Sequence, residues 1–328
     1  MGAKGGRAFE GLEKAALVAG AGLLLGACSG PQSALDPAGR EAAEVARLFW
    51  VMLAGAAIIW LAVIGTAVFA GRFQKTPLGE RAGLRIVLWA GAIIPTLILA
   101  ALLTFGLRLM PVLRAGEPAL TVHVSGEQYW WRVTYRTAQG EVETANELRL
   151  PAGRPAEILL DSADVIHSFW IPALAGKLDM IPGRTNRLVL NPERTGTYRG
   201  VCAEFCGRAH AFMAFSVEVM EPAAFEAWLA RERAPAAATA DAGAFLANGC
   251  GGCHSVRGTP ATGTIGPDLT HVAARPTLGA GLLANTPANR RRFVSETEKL
   301  KPGVRMPAFG ALESDQLDAI DAYLGSLR

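Results

Sequence analysis

Cys202-Ala203-Glu204-Phe205-Cys206-Gly207-Arg208-Ala209-His210-Ala211-Phe212-Met213 is the stretch on which the reading of this chain turns. It brings two thiols, an imidazole and a thioether into one short loop. A second imidazole, His167, lies upstream in Asp164-Val165-Ile166-His167-Ser168-Phe169-Trp170. Such a soft donor set selects copper over magnesium, calcium or manganese. A single blue-copper ion needs one Cys, two His and an axial Met. Here there is one cysteine too many for that. The competing reading is a Cys-x3-Cys redox dithiol, as in a thioredoxin-type copper chaperone. A dithiol needs neither His210 nor Met213, and the βαβ order of a thioredoxin is absent.

Outward from this loop, short β-rich runs at 120–124, 130–135, 156–160, 187–190 and 215–220 are separated by Gly, Pro and Asn. That spacing predicts an all-β sandwich or barrel over 115–222. A short helix at 223–230 follows. The Ala- and charge-rich 231–241 segment, with Pro235, reads as a linker, so 223–241 joins this domain to the next.

Within 242–328, Cys250-Gly251-Gly252-Cys253-His254 is a Cys-x-x-Cys-His motif, the attachment signature of c-type haem. Cys250 and Cys253 would bond the haem and His254 would ligate its iron. Helices are expected at 241–248, 287–299 and 314–327, the second with Thr286 as N-cap and Pro287 in its first turn.

Towards the N-terminus, residues 48–70 and 86–107 are two apolar stretches without a charged residue. Each exceeds the roughly 20 residues that cross a bilayer, and Pro95 within the second is tolerated in a membrane helix. The segment between them, 71–85, carries Arg72, Lys75, Arg81 and Arg85 against Glu80 alone. The positive-inside rule puts that loop in the cytoplasm and everything after Met110 outside. Residues 1–27 combine Lys4, Arg7 and Lys14 with a short apolar run, the pattern of a signal peptide. The run ends Leu25-Gly26-Ala27-Cys28, similar to a bacterial lipobox, which makes Cys28 the expected lipidated N-terminus. Residues 28–114 then form the N-terminal segment and two-helix anchor.

The motifs together resemble subunit II of the cytochrome c oxidases, of the caa3 type with a fused class I cytochrome c. Residues 164–170, 202–213 and Lys177-Leu178-Asp179-Met180-Ile181-Pro182-Gly183-Arg184 carry that resemblance. It implies a multidomain chain: a two-helix transmembrane hairpin, an all-β cupredoxin sandwich and an all-α cytochrome c domain. It implies a binuclear copper centre, CuA, bridged by Cys202 and Cys206. His167 and Met213 would complete one copper; His210 and the backbone carbonyl of Glu204 would complete the other. The Glu204 side chain is implied towards a magnesium at the contact with subunit I. Gln128-Tyr129-Trp130-Trp131 resembles the aromatic patch through which electrons enter, with Tyr129 where relatives usually have Trp. Ile265-Gly266-Pro267-Asp268-Leu269 resembles the cytochrome loop whose proline carbonyl orients the haem histidine. Arg305-Met306-Pro307-Ala308-Phe309 resembles the loop giving the axial methionine. Many relatives place a Glu near the start of the second membrane helix, where this chain has Leu88, so no proton role is assigned to it.

The composition sets limits. A net charge of +3 argues against a nucleic-acid partner. There are five histidines: three are committed to the motifs, and His123 and His271 read as structural. By resemblance, an oxygen-reducing haem–copper site needs about six histidines in membrane helices, and the two spans here contain none. The expected function is therefore electron input from haem c through CuA to a haem–copper subunit I, where oxygen is reduced to water with proton pumping. Expected partners are subunits I and III, a cytochrome or bc1 complex as donor, and membrane lipid. The alternatives are the CuA subunit of a nitric-oxide reductase and a stand-alone membrane-tethered electron carrier.

Overall fold

Alternation along the strands explains how the central domain closes. In β1 (Leu120–Glu127) Val122 and Val124 point inward, and in β2 (Trp130–Thr137) Trp131, Val133 and Tyr135 do the same. In β5 (Ala156–Ser162) the inward set is Ala156, Ile158 and Leu160. A period of two puts one face of a strand in the core and the other in water. In this computed structural model, which describes residues 28–74, 76, 78–112, 118 and 120–328, these strands join β3 (Gly140–Ala145) and β8 (Asn186–Leu190) in a sheet of order β3-β2-β1-β5-β8. A second sheet, β4-β10-β9-β6-β7, covers it. Its members are β4 (Glu147–Pro151), β6 (His167–Trp170), β7 (Leu178–Met180), β9 (Gly196–Cys202) and β10 (Ala214–Met220). Each sheet mixes antiparallel pairs with one parallel pair, β1 with β5 and β4 with β10. Rings of Trp131, Phe169 and Phe215 pack between the sheets, with centroids 4.9–5.9 Å apart.

The sandwich ends against the helix Pro222–Arg233, whose Phe225 and Trp228 pack on Tyr135. This helix runs three residues past the expected 230. Leu229 is buried, and Arg233 reaches back to the Thr137 hydroxyl. Residues 28–43 also lie against the sandwich. Ala38 and Gly39 donate to Ala173 O, and Glu41 accepts from both the backbone and the side chain of Asn191.

The C-terminal segment is helical: Gly243–Ala247, Pro287–Ser295, Thr297–Leu300 and Ser314–Ser326. A two-residue ribbon, Thr277–Leu278 with Leu283–Ala284, is added. Thr286 caps its helix as expected, its hydroxyl accepting from Asn289 N at 3.3 Å. The helix expected over 287–299 is broken at Glu296. There the Thr297 hydroxyl takes the Phe293 carbonyl, a side chain competing for a backbone bond.

Residues 44–117 form a separate unit. The helix Arg40–Arg72 and the helical stretch Glu80–Met110 are long and apolar enough to cross a membrane, and both present their apolar side chains outward. Within the second, Val87–Ile93 takes a π register just before Pro95, and Ile94 N–H reaches back to Trp89 O. A proline carries no N–H to continue the ladder, so the register shifts where it arrives. The signal-peptide and lipobox expectations rest mainly on 1–27, outside the described residues. Cys28 itself is half-buried and in no disulfide.

Candidate metal centres

The donors of the opening motif come together at one end of the sandwich. His167 opens β6, Cys202 closes β9, and Met213 leads into β10, so adjacent strands fix three of them. Cys202 Sγ lies 3.9 Å from Cys206 Sγ, 3.8 Å from His167 Nδ1 and 3.1 Å from Glu204 O. Cys206 Sγ lies 3.5 Å from His210 Nδ1 and 3.8 Å from Met213 Sδ. All six expected donor groups thus form one connected cluster. His167, Cys202, Cys206 and Met213 are buried.

Electrostatics differ from donor to donor. The two sulfurs act on each other in opposite directions. The hydrogen bond from Cys206 holds Cys202 well below the usual thiol range, and burial of the sulfur only partly opposes it. Cys206 is pushed up by the same partner. Burial works against a charged His167, but its bonds to Asp164 and Cys202 outweigh this and raise it to about 9. Its Nε2 lies 2.9 Å from the Asp164 carboxylate, so Nε2 carries the hydrogen and Nδ1 faces Cys202. Gly126 sits against this ring: a Cβ there would come within 2.8 Å of it. The set fits a closed, thiolate-rich copper site, and binding would release the thiol protons.

Asp164 and Gln128 were not singled out from sequence. Asp164 also accepts from Gln128 N, and Gln128 Nε2 donates to Cys206 O at 2.6 Å. The Asp-x-x-His spacing is the available signal for Asp164, and its place at the head of the Gln128–Trp131 aromatic motif is the one for Gln128. The Glu204 carboxylate lies 3.6 Å from Lys177 Nζ, both half exposed. Among the described residues no cluster of three or more His, Cys, Asp or Glu donors includes it.

The haem motif borders a cavity of about 350 Å³, lined by Cys250, Cys253, His254, Pro267 and Met306. His254 Nδ1 lies 2.8 Å from Pro267 O. A carbonyl only accepts, so Nδ1 bears the hydrogen and the Nε2 lone pair is left for a metal. Burial pulls His254 below its usual range, which favours the neutral imidazole a ligand must be. Gly266 packs on this ring, and a Cβ there would come within 2.6 Å of it. Two thiols, an oriented imidazole and a thioether around one apolar cavity fit a covalently held haem.

Tyr129 and Trp130 line the same cavity from the sandwich side. Tyr129 is buried and Trp130 half-buried, with the Arg132 guanidinium 4.6 Å over the Trp130 ring. Trp131 is a core residue. His123 pairs with Asp161 and His271 with Ala234 O, both structural contacts.

Fold and sites together define a class: a membrane-anchored cupredoxin joined to a cytochrome c, equipped for electron transfer. Residues 134–220 match the family described as cytochrome C oxidase subunit II, periplasmic domain, and residues 240–328 match cytochrome c. Cytochrome c oxidase subunit 2 of Alkalihalophilus pseudofirmus is 32% identical, over 93% of this chain and 94% of its own length. The subunit 2 proteins of Bacillus sp. strain PS3 and Bacillus subtilis are 32% and 29% identical, and the matches span 62% and 64% of their lengths. The crystallised periplasmic domain of subunit II of Bradyrhizobium japonicum cytochrome oxidase is similar over 36% of this chain and 96% of its own, at 31% identity and a TM-score of 0.35. The chain belongs to the cytochrome c oxidase subunit 2 family, in the form that carries a fused cytochrome c domain.

Proposed function

We propose that this chain is the electron-input subunit of a respiratory haem–copper oxidase. Its cytochrome domain takes electrons from an external donor, such as a cytochrome or the bc1 complex. They pass to the cupredoxin domain and on to subunit I, where oxygen is reduced to water with proton pumping. Subunit III would complete the complex. Residues 71–85 would lie in the cytoplasm, with the two redox domains on the outer face of a bacterial cell membrane and Cys28 lipidated. When bound, the copper pair and the haem would each supply a one-electron carrier.

The protein's own residues do the remainder. Cys202, Cys206, His167, His210, Met213 and Glu204 O would close the copper site against substrate and water. Cys250 and Cys253 would hold the haem, and His254 and Met306 would ligate its iron. His/Met ligation raises a haem potential and leaves no open position. The observation that carries the reading is the shared wall: Tyr129 and Trp130 line the haem cavity while Gln128, next in the chain, bonds Cys206 O. Gln128 to Trp130 would give electrons a short protein path between the two centres.

Oxygen uptake by a Cys202→Ser complex tests the proposal. Copper absorption should be lost and uptake should collapse, while the haem stays attached and becomes fully reduced by the donor. Near-normal uptake would mean that electrons bypass the cupredoxin domain.

A further inference from the structure

Lys301 follows the short helix Thr297–Leu300 and precedes Pro302 and Gly303. It is 2% exposed. Its Nζ donates to Tyr129 O at 2.7 Å and to Gly279 O at 2.5 Å. The first carbonyl belongs to the turn between β1 and β2 of the cupredoxin domain, the second to the turn of the cytochrome ribbon. No carboxylate lies within ion-pair distance of Lys301 among the described residues. Lysine is rarely buried without such a partner, because desolvating the ammonium is expensive. Burial accordingly pulls its pKa down to about 7, and only the nearby Cys206 opposes that pull.

We infer that Lys301 is a positioning residue that pins the cytochrome domain onto Tyr129, and so sets the approach of the haem cavity to the copper loop. The inference rests on the proposed electron-input function. Three features support it. Lys301 lines the haem cavity and stands in the same loop as Met306. Its two acceptors come from different domains, so one ammonium ties both to that loop. Other polar contacts also cross the joint: Ala214 N with Ala280 O, Arg132 Nη2 with Thr264 O, Arg257 Nη1 with Glu143 O, and the ion pairs Arg275–Glu147, Arg305–Asp164 and Arg208–Glu298. These can keep the domains together, but they do not hold the Tyr129 carbonyl.

The test uses the assembled oxidase carrying Lys301→Met, which keeps the bulk and removes the donors. Lys301→Gln, which can reach one carbonyl, serves as the milder variant. Leaving a buried carbonyl unsatisfied should lower hydrogen-exchange protection of residues 127–133 and 276–282 by about tenfold in the Met variant, and by less in the Gln variant. Flash-initiated electron transfer from haem to copper should slow in the same order. The absorption spectra and midpoint potentials of both centres should stay as in the parent. Unchanged protection in both variants would overturn the inference. So would a shifted haem potential or lost haem absorption, since Lys301 would then be supporting the haem pocket rather than the joint. If the parent complex itself shows no haem-to-copper transfer, the proposed function fails, and exchange protection still decides whether Lys301 is a pin.

Discussion

The copper loop and the haem pocket solve the same problem, fixing an imidazole so that one ring nitrogen faces the metal site, in opposite ways. At the copper loop the donors are already in contact, buried, with sulfur and nitrogen atoms 3.1–3.9 Å from their neighbours. At the haem pocket the donors line a cavity, Cys253 is exposed, and the space belongs to the group that will fill it. The histidines show the same division. His167 is fixed through Nε2 by a carboxylate and presents Nδ1; His254 is fixed through Nδ1 by a carbonyl and presents Nε2. A carboxylate raises the basicity of its imidazole, whereas a carbonyl mainly orients it. Small ions call for a closed, charged cage; a large apolar cofactor calls for a dry slot and a few directed atoms. Each imidazole also has a glycine pressed against it, Gly126 or Gly266, where a Cβ would collide.

Removing one donor from each side breaks the comparison most severely, and the cysteine change described above covers the copper side. On the haem side, Met306→Ala should leave copper absorption intact and the haem attached, but open the iron and lower its potential. Uptake driven by the natural donor should fall by an order of magnitude or more, while an artificial donor that reduces the copper domain directly should still sustain turnover. If Met306→Ala behaves as the parent with every donor, the cytochrome domain is not on the main route.

Asp164→Ala tests the difference in second partners. Losing the carboxylate that orients a ligand histidine typically weakens metal affinity by about 10–100-fold. Competitive chelation should show that loss for copper, with the haem spectrum unmoved. An unchanged copper affinity would mean that the strand alone positions His167.

Much of this was legible in the sequence because chemistry leaves a local signature. The Cys-x3-Cys loop, Cys-x-x-Cys-His, the proline after Gly266 and the Thr286-Pro287 cap all act within a few residues of themselves. Strands with clear alternation, such as Val122 and Val124 in β1, were equally plain. The runs 167–170, 178–180 and 196–202 were not. They are short, polar or interrupted by glycine, and only sheet pairing makes them strands. Nor was the joint between the domains legible. Lys301 meets Tyr129 across a long sequence separation, and nothing in the local residues says that this lysine is buried while Lys299 is exposed.

A further expected effect lies at that joint. With its pKa pulled down to about 7 from an ordinary 10.5, Lys301 is charged in the unfolded chain and neutral in the folded one between those values. The unfolded state then binds the extra proton, so the site's contribution to stability rises with pH across that window. Urea titrations of the parent from pH 7 to 10 should show a rise that the Lys301→Met protein lacks. Identical pH profiles would mean that the two carbonyls keep the ammonium charged throughout.

The central claim is that one chain carries two distinct electron carriers, and metal stoichiometry tests it most directly. Quantitative analysis of the purified, full-length protein should find two coppers and one haem iron per chain, with the haem resisting extraction because Cys250 and Cys253 hold it. One copper per chain with the spectrum of a single blue site, or haem that extracts freely, would contradict the account.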